Sequence, residues 1–160
     1  MYRWFAGLVA TAALAVAIPT LAQGAPSHHC KVDLTMLAHR VKTFSGKPPA
    51  SGHDLHAGVV GGKICGKAFR GAAREENRYP EPPGFTIKLA TFGPIGSFRS
   101  KGDGTAAINP DGKTLTLTGQ MDVTGGTGVY NGSSGSLEFT ARVDANSGVA
   151  RFHLTGELDY

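Results

Sequence analysis

The chain has 160 residues, 16 Lys and Arg against 12 Asp and Glu, two cysteines and a formal net charge of +4. Its basic side chains, among them Lys42, Lys47, Lys63, Lys67, Lys88, Lys101 and Lys113, are scattered, and the lack of a tract argues against nucleic acid as a partner. A solvated surface accounts for them more simply than attraction to anionic envelope polymers or lipids.

Residues 1–24, MYRWFAGLVATAALAVAIPTLAQG, read as a signal peptide. Arg3 supplies the positive start, Phe5 to Ile18 the apolar run, and Thr20-Leu21-Ala22 the small-residue cleavage signal. The run falls short of the ~20 apolar residues of a spanning helix and is broken by Pro19, and no later stretch is long enough to span. The expectation is a secreted or periplasmic protein cut near Ala22 or Gly24, with no transmembrane segment in the mature chain. No cysteine follows the cut, which argues against a lipoprotein. In an exported chain the pair Cys30 and Cys65 favours a disulfide. The remainder, about 135 residues, is the size of one domain.

Residues 25–56 read as an N-terminal strand and loop belonging to the same domain as 57–160. In KVDLTMLAHRVKTF, Val32, Leu34, Met36 and Ala38 alternate, which favours a strand, while Val32, Met36 and Leu37 leave a helix open. SGKPPASGHDLH reads as a loop. HAGVVGGKICGKAFRGAA is punctuated by glycine, with a turn or bulge at Gly61-Gly62. REENRYPEPPGF, with its charges and three prolines, reads as a second loop.

From there GFTIKLATF, IGSFRSKGDGTAAI, KTLTLTGQMDV, GSLEFTARVD and GVARFHLTGELDY are strand-like and separated by glycine, NPDG and NSG turn signals. The pattern predicts an all-β antiparallel meander closing into a barrel, with a sandwich as the alternative. Each strand has one apolar face: Leu115, Leu117, Met121 and Val123; Leu137, Phe139, Ala141 and Val143; Ala150, Phe152, Leu154 and Leu158. Alternation leaves open whether that face packs a core or meets another subunit around a partly polar lumen.

Motifs for chemistry are weak. GGKICGKA satisfies GxxxxGK but ends in Ala68, where a phosphate loop needs a hydroxyl. Gly126 to Asn131 lacks the third glycine of GxGxxG and precedes a strand, not a helix. His28, His29, His39, His53, His56 and His153 form no matched ligand set, so no metal is expected and the histidines read as surface or partly satisfied groups. GSSGS is not a nucleophile elbow. Glu138, Glu157 and Asp159 share a polar face with Arg142, Arg151 and His153, and solvated or ion-paired roles outweigh a catalytic one. No catalytic or ligand-binding residue and no cofactor is assigned.

The stretch VTGGTGVYNGSSGSLEF resembles the glycine-rich corner of the allene oxide cyclase and dirigent-like barrels. AGVVGGKICGKAF, IGSFRSKG and RFHLTGEL resemble other strands of that superfamily, so the chain resembles a secreted member of bacterial type. The resemblance implies an antiparallel eight-stranded barrel of the allene oxide cyclase and dirigent type. It also implies a largely apolar cavity, a homotrimer or homodimer, and a structural corner at Gly125, Gly126, Gly128, Gly132 and Gly135, where the chain turns after Val123. Cys65 matches a cysteine near the cyclase pocket, but its parity with Lys63 and Lys67 points it outward. Three functions stay open: a secreted barrel binding a small apolar or aromatic molecule; a cyclase, isomerase or dirigent-like enzyme imposing stereochemistry; and an envelope-associated structural or interaction protein. Whether the protein is an enzyme is undecided at this level.

Overall fold

The computed structural model describes residues 28–47, 51–81 and 83–160. The signal-peptide reading of 1–24 lies outside them. Eight strands follow one another: β1 His29–Ser45, β2 Gly52–Ile64, β3 Lys67–Tyr79, β4 Gly84–Gly93, β5 Gly96–Ile108, β6 Thr114–Gly128, β7 Ser134–Asp144 and β8 Val149–Asp159. Each pairs antiparallel with the next, and β8 returns to β1 through Met36↔Phe152, Leu34↔Leu154 and Val32↔Gly156. The sheet is a closed barrel rather than a sandwich, and closure leaves no unpaired edge along the wall.

Side-chain parity is resolved by burial. The alternating apolar residues point inward: Leu34, Phe98, Leu137, Ala150 and Leu158 are fully buried, and Phe152, Leu154, Met121 and Leu117 nearly so. Phe139 links Phe85 and Phe152 through ring centroids 6.0 and 6.2 Å apart. With the lumen filled this way, the threonines and charges between them face outward. Across β1 to β4 the outer wall carries an apolar row, Leu37, Val59, Ala72 and Phe92, each beside the next. Among the described residues no helix is long and apolar enough to cross a membrane.

KVDLTMLAHRVKTF lies wholly in β1, the strand that its alternation favours. Two readings change. The loop read from Ser45 to His56 is shorter, because β2 begins at Gly52. The loop read from Arg74 to Phe85 is mostly strand, because β3 runs to Tyr79 and β4 begins at Gly84. In both cases polar side chains occupy inward positions, so hydrophobic alternation fails where backbone pairing does not. The boundary drawn at 56/57 falls inside β2.

At the glycine-rich stretch, β6 continues past Val123 to Gly128. One extra residue, Thr124, bulges between Val123, which faces Ser100, and Gly125, which faces Arg99. Such a bulge bends the strand and raises its twist. The reversal itself comes at Val129 to Ser133, entered through Gly128 at φ +63°, where a Cβ would run into the Ile95 carbonyl. The chain therefore bulges at the position read as a turn, and turns only from Val129 onward.

Candidate functional site

One end of the lumen is polar. Arg40 from β1, Asp54 and His56 from β2, and Glu75, Asn77 and Tyr79 from β3 occupy inward positions in continuation of Ala38, Val60 and Ala73. Register brings them together: Arg40 lies beside His56, His56 beside Glu75, and Asp54 beside Asn77. The backbone ladder thus holds three polar rows of adjacent strands at the spacing of cross-strand neighbours. Asp54, His56, Glu75 and Asn77 are 2 % exposed or less.

Contacts within the cluster are incomplete. The Asn77 Nδ2 amide donates to Glu75 Oε1 at 2.6 Å and lies 3.4 Å from His56 Nδ1. Arg40 Nε is 3.3 Å from Asp54 Oδ2, an ion-pair distance without hydrogen-bond alignment, and His56 Nε2 is 3.8 Å from the same oxygen. Buried atoms of Arg40, Asp54, His56, Glu75 and Asn77 have no hydrogen-bond partner. Burying a polar group without a partner costs about 1–3 kcal/mol each in folded proteins. A group of five in one place is therefore expensive to keep for the fold alone.

Burial also separates the proton affinities. Desolvation pushes Glu75 up to about 8, against the donation from Asn77 and with the help of the Asp54 charge. Desolvation, reinforced by the Arg40 charge, takes His56 down to about 4. Asp54 is raised by burial, a shift that Arg40 opposes. The Tyr79 hydroxyl is raised by burial and by the two neighbouring carboxyl groups. Near neutral pH the end of the lumen thus holds a protonated carboxyl beside an uncharged imidazole, with Nδ1 and Oε1 3.9 Å apart. A proton donor and a proton acceptor set against each other by their surroundings are the parts of acid–base chemistry.

The rim above this floor carries exposed apolar side chains among polar ones. The β1–β2 hairpin continues past the last β1–β8 pair, His39↔Val149. On it Val41 and Phe44 are exposed, and Ile108 at the end of β5 is 74 % exposed. Phe44 stacks on His53 with centroids 4.3 Å apart.

The residues singled out from sequence lie elsewhere, except His56. That histidine is a buried strand residue of the lumen, not a surface or loop group, and it is partly satisfied, with Nδ1 near the Asn77 amide and Nε2 unpartnered. His53, on the outer side of β2, meets Glu76 at 3.0 Å. Glu138, Arg142, Arg151, His153 and Glu157 stay exposed on the outer wall. There His29 pairs with Asp159 at 2.6 Å and Glu157 at 3.5 Å, His153 with Asp33 at 3.0 Å, and Arg142 with Asp111 at 3.6 Å. These are separate surface pairs and form no site. Cys30 and Cys65 are joined in a disulfide at the opposite end, tying the start of β1 to the β2–β3 turn. Cys65 occupies that turn at φ 54°, packed against the core, and is not an outward strand residue. Among the described residues no three His, Cys, Asp or Glu side chains are placed to hold a metal ion.

Arg40, Asp54, Glu75, Asn77 and Tyr79 went unassigned in the sequence. The signal that could have found them is parity: 54 and 56 continue the inward set of Val60 and Ile64, and 75, 77 and 79 that of Phe69 and Ala73.

A closed eight-stranded antiparallel barrel, apolar through most of its lumen and polar at one end, has the fold of the dirigent-like barrels. A solved structure that matches is that of a pterocarpan synthase dirigent protein, with a TM-score of 0.58 at 13% sequence identity, covering 84% of this chain and 97% of the other. No family model matches the chain, and no curated protein matches it in sequence.

Proposed function

We propose that the protein is an exported barrel that binds a small molecule with an apolar or aromatic body and hydrogen-bonding groups at the polar end of its lumen. The observation that carries this reading is the set of unpartnered buried atoms on Arg40, Asp54, His56, Glu75 and Asn77. A bound molecule would complete their hydrogen bonds, and the exposed apolar side chains of Val41, Phe44 and Ile108 at the rim suit the rest of it. Export is supported by the N-terminal apolar segment and agrees with the disulfide. A homotrimer or homodimer belongs to the same reading, with the row Leu37, Val59 and Ala72 as the surface that supports it.

A second reading, an isomerase, cyclase or dirigent-like enzyme, is favoured by one further observation. The neutral acid Glu75 and the uncharged base His56 face each other across β2 and β3. A substrate held against this pair in one folded conformation could exchange a proton with it. The fold shared with a dirigent protein agrees with this reading.

Native mass spectrometry of the purified protein, followed by thermal shifts with lipid and phenolic compounds, tests the first reading. A co-purified or stabilising small molecule whose effect is lost in Asn77→Leu is the expected result. No shift with any compound and no bound mass would sink it in favour of an envelope-associated structural role. For the second reading, racemic product at the uncatalysed rate from an unsaturated epoxide or a radical-derived substrate is the contrary outcome.

A further inference from the structure

The outer wall over β3, β4 and β5 holds a trough of about 410 Å³ that the lumen site does not use. Its lining is built from two cross-strand rows. In one, Arg74 lies beside Ala90 and Ala90 beside Arg99; in the next, Glu76 lies beside Lys88 and Lys88 beside Lys101. The small Ala90 between two arginines leaves a low floor between two cationic walls. Adjacent strands are about 4.8 Å apart, so the two arginine backbones stand roughly 10 Å from each other. At one end Phe92 is 50 % exposed, and at the other side the bulged Thr124 donates its hydroxyl to the Arg99 carbonyl at 3.3 Å.

Charge in the trough is only partly compensated. Four cations line it against one acid, Glu76, which is already engaged by His53 at 3.0 Å and Arg78 at 3.4 Å. Beyond the trough Lys101 lies beside Asp122 on β6. Among the described residues, none of Arg74, Lys88, Arg99 and Lys101 has an acidic oxygen within ion-pair distance. These cations are separated along the chain and gathered only by strand pairing.

We infer that this trough binds a single chain of acidic polysaccharide. Arginine forks pair with carboxylates in two parallel hydrogen bonds, and Arg74 and Arg99 offer two such forks across the floor. The half-exposed ring of Phe92 is available to the C–H face of a sugar, and Ala90 lets the chain lie close. A membrane surface is a plane, which would touch the cationic walls and miss the apolar floor. A nucleic-acid duplex is too wide to enter between Arg74 and Arg99. The site is separated from the polar end of the lumen by the barrel wall, so it stands or falls independently of the ligand proposed there.

Calorimetric titration of the purified protein with polygalacturonate tests the inference, with neutral dextran, single-stranded DNA and anionic phosphatidylglycerol vesicles as comparisons. Saturable binding to polygalacturonate is expected, weakening as salt screens the trough over a Debye length of about 8–10 Å. The double variant Arg74→Glu, Arg99→Glu should bind at least about tenfold more weakly, because two attractive charges become repulsive. Lys113→Glu, which changes one charge in the β5–β6 connection, should leave binding within about twofold if attraction is local rather than diffuse. Because all these side chains are exposed, melting temperatures should be unchanged; if the double variant melts early, Lys88→Gln with Lys101→Gln takes its place, with a smaller loss expected. No binding, an equal loss in Lys113→Glu, or equally tight binding to vesicles or DNA would overturn the inference.

Discussion

His56 and Glu75 sit opposite each other on β2 and β3, with Nδ1 3.9 Å from Oε1 and both side chains shut away from solvent. Their proton affinities move in opposite directions, the imidazole down to about 4 and the carboxyl up to about 8, because burial penalises the charged form of each.

This opposition gives a pH signature. The folded state holds the Glu75 proton up to about 8, whereas the unfolded carboxyl releases it near 4.5, so this group makes stability fall as pH rises from 4.5 to 8. The unfolded imidazole takes up its proton near 6.5 and the folded one only near 4, so His56 makes stability fall as pH drops from 6.5 to 4. Between 4.5 and 6.5 the two slopes cancel. Urea unfolding as a function of pH should show the wild type losing stability above 6.5, by up to about 1.4 kcal/mol per pH unit from Glu75, and Glu75→Gln should remove that loss. Unchanged pH dependence in Glu75→Gln would show that the carboxyl titrates normally.

Asp54 is 1 % exposed and, among the described residues, Arg40 is its one charged cationic neighbour within ion-pair distance, the nearby His56 being uncharged. Arg40→Met leaves that carboxyl buried beside an apolar chain and should cost about 3–5 kcal/mol. In a double-mutant cycle, Arg40→Met with Asp54→Leu should recover most of the loss, because the stranded charge is gone. Additive losses would mean that the two groups do not interact.

The Cys30–Cys65 disulfide closes a separation of 35 residues. Cys30→Ser with Cys65→Ser should lower stability by about 4 kcal/mol on the chain-entropy model. Chemical denaturation of the variant and of reduced wild type should agree, and a change under about 1 kcal/mol would contradict the entropic account.

Gly128 closes the bulged end of β6 at φ +63°, against the backbone of Ile95 and Gly96. Gly128→Ala combines a left-handed conformation, about 1–2 kcal/mol, with a backbone clash, so a loss above about 2 kcal/mol is expected. Gly132, at φ +75° with open space around its missing Cβ, should lose only the conformational part when changed to Ala. Equal melting temperatures for the two variants would contradict this division.

How much of this was legible depended on where the polar side chains lay. From Thr114 to Asp159 the strands could be read directly, because apolar residues inside and threonines or charges outside produce clean alternation. At the C-terminal end of β3 the same period is present in Glu75, Asn77 and Tyr79, but polar residues fill the inward positions and the stretch looks like a charged loop. Hydropathy reports burial only when burial is apolar. For that reason the candidate site was the part of the barrel hardest to read.

By itself the sequence determined an all-β chain, the strands of its C-terminal half, the pairing expected of its two cysteines and the glycine-rich stretch. Those are set by local side-chain period, turn chemistry and composition. The turn-separated strands and the resemblance also pointed to a closed barrel, which the pairing of β8 with β1 bears out; only the tertiary structure decided that the apolar faces turn inward. It likewise gathered Arg40, Asp54, His56 and Glu75 inside the wall and Arg74, Lys88, Arg99 and Lys101 outside it. The reason is register: cross-strand neighbours are set by which residues of two strands pair, and that choice joins positions distant in sequence that no local pattern connects.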